Sequence, residues 1–131
     1  MIVLIADAVD EERNWLCRLV RLQGHDSIPA MNGQEAVDLA LEHQPDLIFM
    51  DMSMPDLKGH EATRLIRTQS QISETPIIGF TAQAGEEERQ ACFEAGCDKV
   101  MKRPIDTLQL RELLEFFASP EFKHIPGSDS E

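Results

Sequence analysis

The chain is expected to fold as a doubly wound α/β sheet, with five short strands alternating with five helices. Three observations carry that expectation. The apolar runs Ile2–Ala6, Leu47–Met50 and Pro76–Phe80 are too short for helices and sit between polar breaks, as strands buried on both faces do. Stretches of helical periodicity separate them. No segment repeats another, which sets aside solenoids and propellers. A length of 131 residues with 42% hydrophobic content suits one domain with a single core.

Ile2–Ala6 is the first strand, with Asp7 at its carboxyl end. The helix that follows places Trp15, Leu16, Leu19, Val20 and Leu22 on one side and Arg13, Arg18 and Arg21 largely on the other, with Asp10 as N-cap and Gly24 as stop. Trp15 is expected in the core or half-buried. Asp26–Ala30 is a weak strand interrupted by Pro29, which suits a sheet edge because proline cannot donate to a ladder. Asn32 caps a second helix carrying Ala36, Val37, Leu39, Ala40 and Leu41, which ends near His43 because Pro45 disfavours helix at Gln44. The central strand, Leu47–Met50, ends in Asp51.

Lys58–Thr68 is a third helix with Ala62, Leu65 and Ile66 inward, and the strand Pro76–Phe80 ends in Thr81. The fourth helix, Gly85–Ala95, has little beyond Ala91, Cys92 and Phe93 to bury, so it is the weakly anchored element and a candidate for movement. Lys99–Met101 is a brief fifth strand, followed by Arg103 and Pro104. The last helix, Asp106–Ala118, has more apolar surface than one stripe requires: Leu110, Leu114, Phe116 and Phe117 either complete the core or form a face for a partner or a second copy, so a homodimer stays open. Residues 1–118 form the domain, and residues 119–131, with two prolines, a glycine and a run of Ser and Asp, form a flexible tail.

Composition narrows the function. Twenty-four acidic against twelve basic residues give a net charge of −12, which opposes direct nucleic-acid binding. No apolar run approaches 18 residues and no basic lead precedes Ile2, so neither a membrane span nor a signal peptide is expected and the setting is cytoplasmic. Cys17, Cys92 and Cys97 are odd in number and lack metal spacing, so reduced thiols are expected. His25, His43, His60 and His124 are scattered without ligand spacing.

Function concentrates at the strand ends. Asp7, Asp51, Thr81 and Arg103 all stand at carboxyl ends, which converge on one crevice in a doubly wound sheet. Paired carboxylates there repel each other unless a cation joins them, and oxygen ligands suit Mg²⁺. A carboxylate beside such a metal can attack phosphorus, with the Thr81 hydroxyl and the Arg103 cation steadying the transferred oxygens.

With LIAD at the first strand, LIFMDMSMPDLKG around the third, PIIGFTA at the fourth and AGCDKVMKRP at the fifth, the chain resembles the receiver domain of two-component response regulators from Ile2 to about Ala118. Thr81 follows Asp51 by thirty residues, as in that family. The resemblance implies a CheY-like, flavodoxin-like three-layer fold with strand order 2-1-3-4-5. It implies Asp51 as phosphoacceptor, Thr81 and Arg103 as phosphoryl contacts, and Asp7, Asp51 and the backbone carbonyl of Ser53 as Mg²⁺ ligands. Pro104 matches a proline usually preceded by a cis peptide. It further implies a phosphorelay, with a histidine kinase or histidine phosphotransfer protein as donor and a downstream protein on helices 4 and 5 and strand 5. The chain would be a regulator that catalyses its own phosphorylation, not an enzyme turning over a separate substrate.

Three positions depart from the family. Counting back from Gly24 aligns Asp7 with the first of its two adjacent acids and puts Ala8 at the second, the more direct metal ligand; a second register makes Asp7 the second acid, with Ala6 replacing the first. Asp10 or Glu11 are the candidate compensating acids. The usual lysine before the proline is Arg103, and the aromatic of the fifth strand is Val100. These changes leave two readings: an atypical phosphorylated receiver with weakened Mg²⁺ affinity, or a pseudo-receiver that signals by contacts alone. A flavin carrier of the same topology is disfavoured, because no Ser/Thr/Gly-rich phosphate loop follows Ala6.

Overall fold

Successive side chains of a strand point to opposite faces, so a strand apolar throughout feeds two cores at once. The computed structural model describes residues 1–83 and 85–119. Its elements alternate as β1 (Ile2–Ala6), α1 (Asp10–Leu22), β2 (Asp26–Ala30), α2 (Gly33–His43), β3 (Leu47–Asp51), α3 (Gly59–Arg67), β4 (Ile77–Thr81), α4 (Glu86–Ala95), β5 (Lys99–Lys102) and α5 (Thr107–Ala118). The strands pair in parallel in the order β2-β1-β3-β4-β5. Leu4, Ala6, Ile48, Met50 and Ile77 face Ala36 and Ala40 of α2, Ala62 and Ile66 of α3 and Cys92 of α4. Val3, Ile5, Leu47, Phe49, Ile78 and Phe80 face Leu16 and Val20 of α1 and Leu110, Leu114 and Phe117 of α5.

Most elements lie where expected, with β2 at the edge and Asn32 accepting the Glu35 amide at 2.8 Å as the cap of α2. Gly24 follows α1 at φ 89°, where His25 N–H reaches Val20 O and Gly24 N–H reaches Arg21 O, closing the last turn. The differences are instructive. Asp10 does not cap α1: Val9 holds the N-cap position, Asp7 Oδ1 accepts its amide at 2.9 Å, and Asp10 turns to Arg13 at 2.6 Å. Arg13, expected on the polar face, is buried, because its guanidinium also donates to the Asp7 carbonyl at 2.8 Å.

Leu22, Leu65 and Phe93 stay largely exposed, and Trp15 keeps 40% of its surface in solvent. At about 100° per residue Leu22 lies on the face of α1 opposite the buried Val20, and Trp15, Leu65 and Phe93 fall outside the buried stripes of their helices. Helix α4 buries only Cys92 and Ala95. The three thiols are free and buried. On α5, Leu110, Leu113, Leu114 and Phe117 complete the core, while Leu108 and Phe116 face outward. No helix among the described residues is long and apolar enough to cross a membrane. The tail expected over residues 119–131 lies, from residue 120 onward, outside the described residues.

Candidate functional site

From β1 the chain crosses to β2 on one side, and from β3 it crosses to β4 on the other, so a crevice opens at the carboxyl ends of the adjacent strands β1 and β3. Asp7 follows β1, Asp51 ends β3 and Thr81 ends β4; none is more than 2% exposed. Both oxygens of Asp51 are held. Ser53 N–H donates to Oδ1 at 2.9 Å, Ala8 N–H donates to Oδ2 at 3.3 Å, and the Arg103 guanidinium spans the two at 3.2 and 3.1 Å. Backbone Ala8 therefore contributes a donor where its side chain cannot contribute a ligand. Gln83 N–H donates to the Thr81 hydroxyl at 3.1 Å.

Arg103 is the hub. Its backbone N–H donates to Thr81 O at 2.9 Å, the peptide bond to Pro104 is cis, and its guanidinium lies over the Phe80 ring at 4.7 Å. Its Nε donates to Glu12 at 2.9 Å, and the nearest nitrogen reaches Asp7 Oδ1 at 3.5 Å. Burial alone would lower its affinity for a proton, but hydrogen bonds to Glu12 and Asp51 more than offset this, so its pKa is raised and it stays charged.

Burial pushes the Asp7 carboxyl up to about 7, with Glu12 and the Asp51 charge adding to the rise and the Val9 amide opposing it. Its Oδ2 is buried with no hydrogen-bond partner among the described residues. Three carboxylates thus face one cation.

The expected compensating acids do not occupy this crevice. Glu11 is exposed and Asp10 is engaged with Arg13. The acid that enters is Glu12, which the sequence reading passed over. It lies four residues before the buried Leu16 and so heads the inward stripe of α1, a signal the helical spacing carried. Ser53 reaches Asp51 through its amide, Lys102 is exposed, and Val100 packs against the α2–α4 side of the sheet.

With fold and crevice in view, the class is set. The chain belongs to the response regulator receiver domain family, whose description matches residues 3–115. Among curated relatives it is 32% identical over 99 residues to the polar-differentiation response regulator DivK of Brucella anthropi, covering 76% of this chain and 80% of that one. The DivK protein of Brucella ovis is 31% identical over the same extent. Among solved structures, the Vibrio cholerae chemotaxis protein CheY4 superposes with a TM-score of 0.83 at 27% identity, over 88% of this chain and 97% of its own. The receiver domain of a Pseudomonas aeruginosa sensor histidine kinase, with a magnesium ion coordinated in its active site cleft, superposes with a TM-score of 0.83 at 28% identity, over 90% and 98%.

Proposed function

We propose that this receiver domain is a phosphoacceptor, with Asp51 taking a phosphoryl group from the phosphohistidine of a histidine kinase or histidine phosphotransfer protein. The observation that carries the reading is the posture of Asp51: a buried carboxylate at the end of the central strand, both oxygens oriented by amide donors and a guanidinium fork. A carboxylate oxygen attacks phosphorus as the N–P bond breaks, and the bonding pair returns to the donor imidazole, which takes up a proton. The Arg103 guanidinium then offsets charge on the transferred oxygens, and the Thr81 hydroxyl donates a hydrogen bond to one of them.

The donor set fits Mg²⁺. Asp7 offers an unpartnered buried oxygen, the site is rich in hard oxygen donors, and its acids outnumber its cation. Asp7, Asp51 and the Ser53 carbonyl are the groups that would hold the ion, whose chemistry is to draw charge from phosphoryl oxygens. Arg103 competes for the same carboxylates, so affinity is modest. Output passes by protein contacts on the α4–β5–α5 face, where Phe93, Leu108 and Phe116 are exposed. The chain acts on itself rather than on a separate substrate, and three unbridged thiols suit a cytoplasmic setting.

Intact-protein mass after incubation with acetyl phosphate, with and without Mg²⁺, tests the reading. A Mg²⁺-dependent phosphoryl adduct that is absent from Asp51→Asn supports it. No adduct on the native chain, or one that persists in Asp51→Asn, overturns it.

A further inference from the structure

A second cluster stands outside the acidic crevice, between α3 and α4. Among the described residues, His60, Glu88 and Cys92 bring three potential metal-binding atoms within 4.8 Å of one another. His60 is the second residue of α3, whereas Glu88 and Cys92 are four apart and share one face of α4. The separations are 3.4 Å from His60 Nε2 to Glu88 Oε2, and 3.8 Å from Cys92 Sγ to each of those atoms. Tetrahedral zinc, with bonds of about 2.0–2.1 Å to nitrogen, about 2.0–2.2 Å to oxygen and about 2.3 Å to sulfur, sets ligand edges of about 3.4 Å for N···O and about 3.6 Å for S···N and S···O. The three atoms already lie close to those edges.

We propose that His60, Glu88 and Cys92 form a Zn²⁺ site that clips α4 to α3. Imidazole, carboxylate and thiolate are all zinc donors, and thiolate with imidazole disfavours Mg²⁺ and Ca²⁺. A cavity of about 300 Å³, lined by Ser53, Lys58, His60, Thr81, Gln83 and Glu88, adjoins the cluster and has room for water at the fourth position. Cys92 is buried, and His60 and Glu88 are about one-fifth and one-quarter exposed, so the ion has an entry path on the cavity side. Without metal, the Cys92 thiol is pushed up to about 11, first by burial and then by Glu88, so coordination must release its proton. The structural consequence falls on α4, which otherwise buries only Cys92 and Ala95. A metal bond to α3 supplies the anchor its apolar residues do not.

The test titrates the full chain with Co²⁺ as a spectroscopic stand-in for Zn²⁺ and follows the thiolate-to-cobalt charge-transfer band. One ion per chain, displaced by Zn²⁺, is expected. Cys92→Ser should abolish the band, and His60→Ala and Glu88→Gln, at partly exposed positions, should each weaken binding by at least about tenfold. Zn²⁺ should also slow amide exchange in α4 of the native chain but not of His60→Ala. No charge-transfer band, a band that survives Cys92→Ser but not Cys97→Ser, or unchanged affinity in both His60→Ala and Glu88→Gln overturns the proposal. None of these readouts requires Asp51 to be phosphorylated.

Discussion

Replacing Arg103 by methionine keeps most of the apolar stem and removes the one cation among the described residues that pairs with Asp7, Glu12 and Asp51. The guanidinium contacts Asp51 at 3.1 and 3.2 Å, Glu12 at 2.8 Å and Asp7 at 3.5 Å, and its side chain is 18% exposed. Stripping one partner from a buried ion pair costs about 3–5 kcal/mol, because the other charge is left uncompensated. Two features reduce that here. Glu12 is 20% exposed and can hydrate, and Asp7, raised to about 7, can take a proton rather than stay charged. The expected loss is therefore about 2–3 kcal/mol near pH 7.5.

For 131 residues, an unfolding entropy of about 0.28 kcal/mol/K converts that loss to a fall of roughly 7–11 °C in the melting temperature. Urea unfolding with and without Mg²⁺ is the assay. If the ion and the guanidinium compete for the same carboxylates, Mg²⁺ stabilises Arg103→Met more than it stabilises the native chain. A loss under about 0.5 kcal/mol would refute the electrostatic account, being no more than an ordinary surface substitution costs. An equal Mg²⁺ effect on both chains would refute the competition.

Asp7 gives a pH test. Its folded pKa of about 7 exceeds the ordinary 3.8, so between those values the folded chain binds more protons than the unfolded one and this group's contribution to stability falls as pH rises. Asp7→Asn should therefore gain on the native chain from pH 4 to pH 7 and level off above; parallel curves in denaturant melts would reject this. Arg67 gives a structural test: it donates to the carbonyls of Ser73, Thr75 and Gly96 at 2.7–3.0 Å and pairs with Asp98 at 2.9 Å. Arg67→Ala should lose about 2–3 kcal/mol in the same melts, with lysine recovering little because it cannot reach several carbonyls at once. At Gly59 a Cβ would collide with the Asp51 carbonyl oxygen and stand 2.7 Å from Met52 Cα. Gly59→Ala should cost about 2–3 kcal/mol by thermal melt, and a cost near zero would mean that the backbone at Asp51 and Met52 gives way easily.

The fold was legible because hydrophobic periodicity and punctuation agree in nearly every element. Short apolar runs between turn residues located the strands, Asn32 and Gly24 marked helix ends, and Pro29 identified an edge. The strand-end residues were legible for the same reason, since topology gathers them whatever their side chains. What escaped was the set of contacts that long side chains make across elements. Arg13 stands three, four and seven residues before the buried Leu16, Cys17 and Val20, so the period itself favours the inward stripe; its charge argued for the surface, yet its guanidinium finds the Asp7 carbonyl and Asp10 and is buried. Arg67 carries no sequence signal, because its acceptors are backbone carbonyls up to 29 residues away and the Asp98 carboxylate 31 residues away. Leu65 and Phe93 show the converse limit: helical spacing gives a direction, but the neighbours decide how far the core extends.

Ala8 and Arg103 look in the sequence like two separate losses, one of an acid and one of a lysine. The crevice joins them through Glu12. An arginine is longer than a lysine and presents its donors as a fork, so it can hold Asp51 on one edge while Nε and a terminal nitrogen turn to Glu12 at 2.9 and 2.8 Å. Glu12 in turn restores an acid on the α1 side, where in the register counted from Gly24 position 8 has a methyl group. A lysine ammonium has three donors, but it is a point charge on a shorter reach and lacks the fork that grips both carboxylates edge-on. Glu12→Gln should therefore cost more in the native chain than in the Arg103→Lys background, with a coupling of about 1–2 kcal/mol from a double-mutant cycle in urea. Additivity to within about 0.5 kcal/mol would make the two substitutions independent after all. A coupling of the expected size would mean that the crevice was rebuilt around arginine and glutamate, with its capacity to hold Asp51 intact.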